Sequence, residues 1–181
     1  SIIHENESDC ASNIKASDIL NKWDEICKII ESIPTYEELL EDANNAYCEA
    51  SFPEGAAPLK KVKDNTYSLE LWKGPTAAFK DMALSILPHL LITSARKNQV
   101  KNEIVILTAT SGDTGKAALA GFADVKGTRI IVFYPKNGVS PIQEKQMVTQ
   151  KGDNTYVVGI TGNFDDAQTG VKNIFAAAVD G

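Results

Sequence analysis

The chain has 181 residues, 43% apolar and 23% charged, with 18 basic against 24 acidic side chains and a net charge of −6. That composition suits a globular chain of about one domain and excludes wholesale disorder. The acidic balance excludes broad attraction to nucleic acid or anionic membrane, and no uncharged apolar run reaches the about 18 residues that a membrane-spanning helix needs.

Residues 1–16 form a polar, unpatterned lead-in. From Ile19, apolar residues at Leu20, Trp23, Ile26, Cys27 and Ile30 mark one face of an amphipathic helix, with Ser17 as its cap and Ile33-Pro34 as its end. Thr35-x-x-Glu38 forms a capping box that opens a second helix running to about Tyr47. Pro53–Pro58 is a linker, and Leu59–Val62 and Tyr67–Trp72 form a hairpin-like strand pair around Asp64-Asn65. Lys60, Lys61 and Lys63, interrupted by Asp64, read as a solvated strand edge rather than a phosphate patch. From Phe79 the apolar spacing is helical, with a kink or break expected near Pro88.

The remainder alternates buried strands and helices. Strands are expected at Glu103–Ala109, Thr128–Tyr134 and Thr155–Ile160, and helices at Thr114–Phe122, Ser140–Lys151 and Asn163–Val179. This order predicts an α/β fold in three layers, a mostly parallel sheet with helices on both faces, preceded by a small helical segment. The expected division is 1–52 for the helical segment and 53–181 for the α/β part. Ligands in such sheets sit where strands end and helices begin, which selects the loops Thr108–Gly115, Pro135–Pro141 and Thr161–Phe164.

Cys10, Cys27 and Cys48 show no C-x-x-C spacing, so neither a disulfide framework nor a metal site is expected. No signal peptide opens the chain, and the cytoplasm is its expected compartment. Ser1 rather than Met begins it, and Gly181 follows directly on a helical pattern, so it is expected to be part of something longer.

Two stretches carry chemistry. Thr110-Ser111-Gly112-Asp113-Thr114-Gly115 joins a strand to a helix, and small residues there let backbone N–H groups and the positive helix end meet an anion. It is neither a nucleotide P-loop, because Thr110 and Ala117 break the pattern, nor a G-x-G-x-x-G turn. The plainer reading is a strand–helix turn capped by Asp113 or Thr114. In Gly74-Pro75-Thr76-Ala77-Ala78-Phe79-Lys80-Asp81, a lysine stands near a helix start, where the dipole opposes its charge. A lysine that reacts through its neutral amine needs such an environment. The plainer reading is a surface lysine paired with Asp81.

L-E-L-W-K-G-P-T-A-A-F-K-D closely resembles the cofactor-lysine segment of threonine synthases. L-T-A-T-S-G-D-T-G-K-A-A, F-Y-P-K-N-G-V-S-P-I-Q-E-K-Q-M and G-I-T-G-N-F-D-D-A-Q resemble that family's next motifs, in order and at similar spacing, over roughly residues 53–179. The resemblance implies a tryptophan-synthase-β-like fold and conversion of O-phospho-L-homoserine and water into L-threonine and phosphate. It implies pyridoxal 5'-phosphate held by Lys80 as an internal aldimine, with Phe79 as a pocket wall or plain core and Asp113 beside the cofactor's ring hydroxyl. It assigns Thr110, Ser111, Gly112 and Thr114 to the substrate carboxylate loop, and Ser140, Gln143, Lys145 and Asn163 to the substrate phosphate. Ser140 and Asn163 are equally well explained as helix caps, and His89 reads as structural.

The chain departs from the family where Trp72-Lys73 replaces an aromatic-His pair, where Ala77 replaces a larger apolar residue, and in lacking the later glycine-rich cofactor-phosphate loop. The expectation is therefore the N-terminal part of a threonine synthase, inactive alone, in a monomer or homodimer. The alternatives are a β-eliminating or β-replacing relative, such as a threonine dehydratase or cysteine synthase, and a non-catalytic threonine-synthase-like protein.

Overall fold

A computed structural model describes residues 23–179, with side chains from 27 to 178. The lead-in and the Ser17 cap lie outside the described residues. Two helices come first, α1 (Trp23–Ser32) and α2 (Tyr36–Ala46). The Thr35 capping box is present, with Glu38 N–H donating to the Thr35 hydroxyl and Thr35 N–H donating to the Glu38 carboxylate. Both helices pack against α4 (Leu87–Lys97). Arg96 and Lys97 reach Glu38 at 3.1 and 3.0 Å, and the buried Thr93 hydroxyl donates to Asp42 at 3.0 Å. Further along, the Tyr47 hydroxyl donates to the Met82 carbonyl at 2.6 Å.

β1 (Leu59–Lys63) and β2 (Thr66–Leu69) form the expected antiparallel pair. β2 stops at Leu69: Glu70 N–H still donates to the Pro58 carbonyl in register, but Pro58 has no N–H to return the bond. Lys60 pairs with Glu54 and Glu70, and Lys61 lies 3.9 Å from Asp64, on an exposed strand. The expected break in the next helix falls at Ser85-Ile86, between α3 (Asp81–Leu84) and α4, so Pro88 sits in the first turn of α4, where no N–H is required.

The main sheet is parallel, in the order β3 (Ile104–Ala109), β4 (Thr128–Pro135), β5 (Thr155–Ile160). α5 (Asp113–Phe122) and α6 (Pro141–Val148) form the crossovers, and α7 (Phe164–Val179) packs against β3 and β4. The core lies between α5, α6 and the central strand. Leu119, Ile130, Val132 and Met147 are 0% exposed, and Phe122 is 1% exposed. Each side chain of that size contributes about 1.5–3 kcal/mol by leaving water. Uniform burial of all three strands was expected, but only β4 is largely buried. Val105 on β3 and Tyr156 on β5 stay 47% and 44% exposed because both lie on edge strands of a three-stranded sheet.

α6 ends at Val148, short of the expected Lys151, with Thr149 as its C-cap: the Thr149 N–H and hydroxyl both donate to the Lys145 carbonyl, at 3.1 and 2.6 Å, and Gln150 N–H turns to the Met147 carbonyl instead of continuing the helix. Asn154 ties the strand–helix junctions together. Its amide donates to the Phe122 carbonyl at 2.8 Å and the Thr128 carbonyl at 3.2 Å, and accepts from Asp124 N–H at 2.7 Å, where Asp124 has φ of +58°. Asn154→Ala leaves those backbone groups without partners. We expect it to lower unfolding free energy by about 2 kcal/mol, read by denaturant titration.

Candidate active site

The parallel register places the three selected loops at one edge of the sheet, beyond Ala109, Pro135 and Ile160. The lysine-bearing turn is built around Asp81, which is 2% exposed. Its carboxylate accepts from Thr76 N–H at 2.8 Å and from the Thr76 hydroxyl at 2.5 Å, closing the turn on itself. Gly74 is required by close approach, since a Cβ there would lie 2.6 Å from Asp81 Cβ and 2.8 Å from the Phe52 ring. Ala77 adopts φ of +55°, a left-handed conformation that costs about 1–2 kcal/mol in an alanine and that the surrounding bonds must hold.

This geometry overturns the pairing of Lys80 with Asp81. Asp81 faces inward to Thr76, and among the described residues Lys80 makes no hydrogen bond or salt bridge. Its Nζ lies over the Phe79 ring, 4.8 Å from the centroid, and that ring is 57% exposed. The turn therefore presents an amine with no acid bound to it, beside an aromatic face.

The anion loop is organised from beneath. Thr110 is 1% exposed, and its hydroxyl accepts from Gly112 N–H at 3.0 Å and Gly115 N–H at 2.8 Å. The cap of α5 is thus Thr110 rather than the expected Asp113 or Thr114, and no side chain of the N-cap residue Gly112 takes part. Gly112 has φ of +137°, which favours glycine, and a Cβ there would run into the Gln143 amide. Ser111 is exposed, and Thr114 is half-buried in the first turn.

Asp113 is the junction. Its Oδ1 accepts from Gln143 Nε2 at 2.8 Å and lies 3.0 Å from Lys116 Nζ. The Gln143 hydrogen bond first, then Lys116, then the charge of Lys80 hold its carboxyl below the usual range. A depressed value means that the stability gained from these partners is present above the ordinary aspartate range. It is lost as pH falls through the lowered value.

Ser140 and Gln143 form a capping box on α6, with Gln143 N–H donating to the Ser140 hydroxyl and Ser140 N–H to the Gln143 carbonyl oxygen. The Asn163 side chain accepts from Asp165 and Asp166 N–H at 2.8 and 3.1 Å, opening α7. Both helix-opening residues therefore cap. Lys145 is exposed, with no ion pair among the described residues. Lys73 lies 2.7 Å from Glu54 and 3.5 Å from Glu70, and Glu54 above all pushes its ammonium up, so it is committed to an acidic pair. Sequence reasoning missed the Asp113–Lys116 pair, although a three-residue helical spacing was a usable signal. It also missed Gln146, whose Nε2 donates to the Thr76 carbonyl at 3.4 Å and links α6 to the lysine turn. Among the described residues no acid, Cys and His cluster suits a metal ion, and no helix is long and apolar enough to cross a membrane.

These features define a three-layer α/β domain whose candidate site lies on the carboxyl edge of its parallel sheet, where open α/β enzymes bind ligands. No family model matches the chain. It is 40% identical over 141 residues to a threonine synthase of Pseudomonas aeruginosa, covering 78% of this chain and 29% of that one. It is 38% identical over 135 residues to threonine synthase-like 1 of Pongo abelii, covering 72% of this chain and 18% of that one. The structure of a pyridoxal-phosphate-bound threonine synthase from Brucella melitensis superposes with a TM-score of 0.71 at 32% identity, over 90% of this chain and 36% of that one. Over the region it spans, the chain belongs to the threonine synthase family. It spans about a third or less of these relatives' lengths.

Proposed function

We propose that the protein carrying this chain is a pyridoxal-phosphate-dependent lyase that converts O-phospho-L-homoserine and water into L-threonine and phosphate. The observation that carries the proposal is Lys80, an amine without an acidic partner among the described residues, in the same electrostatic field as Asp113 and the Thr110–Gly115 loop. The donor set suits the cofactor: a primary amine, an exposed aromatic ring beside it, an acidic acceptor and an anion-accepting helix end.

When bound, pyridoxal phosphate supplies an electron sink for carbanionic charge next to the substrate's α carbon. Lys80 would hold it through Nζ, and its amine would move protons at the substrate's carbons. Phe79 walls the pocket. Ser111, Gly112 and Thr114 present the N-terminal end of α5 to the substrate carboxylate, where the helix dipole and the loop N–H groups not already held by Thr110 favour negative charge. Thr110 supports them from below, since its hydroxyl already accepts two loop N–H groups. Asp113 accepts at the ring hydroxyl. The substrate phosphate meets the openings of α6 and α7. Ser140, Gln143 and Asn163 shape those openings while they cap, and Lys145 supplies a cation with no acidic partner among the described residues.

The test supplies O-phospho-L-homoserine to the full-length protein with pyridoxal phosphate and follows phosphate and threonine together. Equal release of both supports the reading. Ketoacid formed from threonine, without phosphate release from phosphohomoserine, identifies a dehydratase instead. Cofactor binding without turnover identifies a non-catalytic relative.

A further inference from the structure

Lys116 is used by no step above, yet its ammonium is buried. Its side chain is 9% exposed, and its sole ion-pair partner among the described residues is Asp113, at 3.0 Å. Burial of a charge is unfavourable unless a partner meets it, and a cation in the first turn of a helix also opposes the dipole. Both penalties make this pair a fixed feature rather than a passing surface contact. A second donor, Gln143 Nε2 from α6, reaches the same oxygen, Oδ1, at 2.8 Å. Among the described residues Oδ2 has no protein partner, and the Asp113 side chain remains 44% exposed. The carboxylate is thus gripped by one oxygen and left open at the other.

We infer that Lys116 is a positioning residue that, together with Gln143, pins Asp113 by Oδ1 as an ionised acceptor and leaves Oδ2 open to the ligand. The inference rests on the proposed placement of Asp113 at the cofactor's ring hydroxyl. An acceptor without a proton takes the hydrogen bond from that hydroxyl, whereas a protonated carboxyl would donate to it. Lys116 therefore governs which proton arrangement the site adopts, without touching substrate. The groups facing Asp113 are Lys116 on its own helix, Gln143 on α6 and Lys80 on the preceding turn. Glu144, next to Gln143, is engaged by the Tyr134 hydroxyl at 2.7 Å. The direction of the Asp113 shift agrees with this arrangement, because every one of the three facing groups favours the ionised form.

The test titrates the Asp113 carboxyl by carbon NMR in the full-length protein without cofactor, comparing wild type with Lys116→Met, Lys116→Arg and Gln143→Met. A parallel pH titration follows the visible absorbance of the cofactor-loaded protein. Lys116→Met and Gln143→Met are each expected to move the Asp113 midpoint upward, toward the ordinary aspartate range. Lys116→Arg is expected to leave it near wild type. The acid limb of the visible titration should move with it. An unchanged midpoint in a folded Lys116→Met protein overturns the inference. Should Lys116→Met not fold, an unchanged midpoint in Gln143→Met overturns it. If wild type shows no chromophore dependent on Lys80, the proposed function fails, while the carboxyl titration still reports on the pair. A normal chromophore with an unmoved Asp113 midpoint defeats the inference alone.

Discussion

Replacing Lys80 with alanine in the full-length protein is expected to abolish covalent cofactor attachment and to lower threonine formation by at least about 10³-fold. The size of this effect follows from the residue's double task, holding the cofactor and moving protons, neither of which a methyl group performs. The surroundings supply no substitute. Lys116 is tied to Asp113 at 3.0 Å and Lys73 to Glu54 at 2.7 Å. Stability should barely change, because Lys80 makes no hydrogen bond or salt bridge among the described residues and its side chain does not cap the helix it precedes. Activity and absorbance together check this. Loss of both, with an unchanged unfolding midpoint, is the expected pattern.

Asp81→Ala is expected to destabilise the protein by about 3 kcal/mol, the largest single effect on stability that we foresee. Asp81 is 2% exposed, and its two oxygens accept the Thr76 amide at 2.8 Å and the Thr76 hydroxyl at 2.5 Å. Truncation leaves both donors buried and unpaired, in a turn that already holds Ala77 at φ of +55°. Release of that turn also unfixes Lys80, so cofactor occupancy should fall with stability. Thr76→Val removes only the hydroxyl bond and should cost roughly half as much. Denaturant unfolding of the two variants, with cofactor absorbance recorded on the same samples, measures both consequences.

The parallel sheet was legible because its strands are short β-branched runs bounded by turn residues and separated by helical patterns. Thr128–Pro135 shows this best, with Ile130 and Val132 fully buried. The loops at the carboxyl edge followed from that order alone. What a one-dimensional reading misplaced were contacts made by short polar side chains. The Thr149 hydroxyl folds back onto the Lys145 carbonyl at the C-cap of α6, and Thr110, three residues upstream, caps α5 in place of Asp113. Adjacency suggested that Asp81 neutralises Lys80, but the turn rotates the carboxylate inward to Thr76, so chain neighbours part. Similarly, Lys116 stood out only as a failed nucleotide motif. Its pair with Asp113 has a helical three-residue spacing, but the Gln143 amide that shares the same carboxylate oxygen lies 30 positions from Asp113, a separation that periodicity does not encode.

Borohydride reduction of the cofactor-loaded full-length protein, followed by peptide mass mapping, tests the central claim most directly. The account predicts one phosphopyridoxyl modification, on the Lys80 side chain, in the peptide containing Gly74–Asp81. Modification of a different lysine, or none, would contradict it.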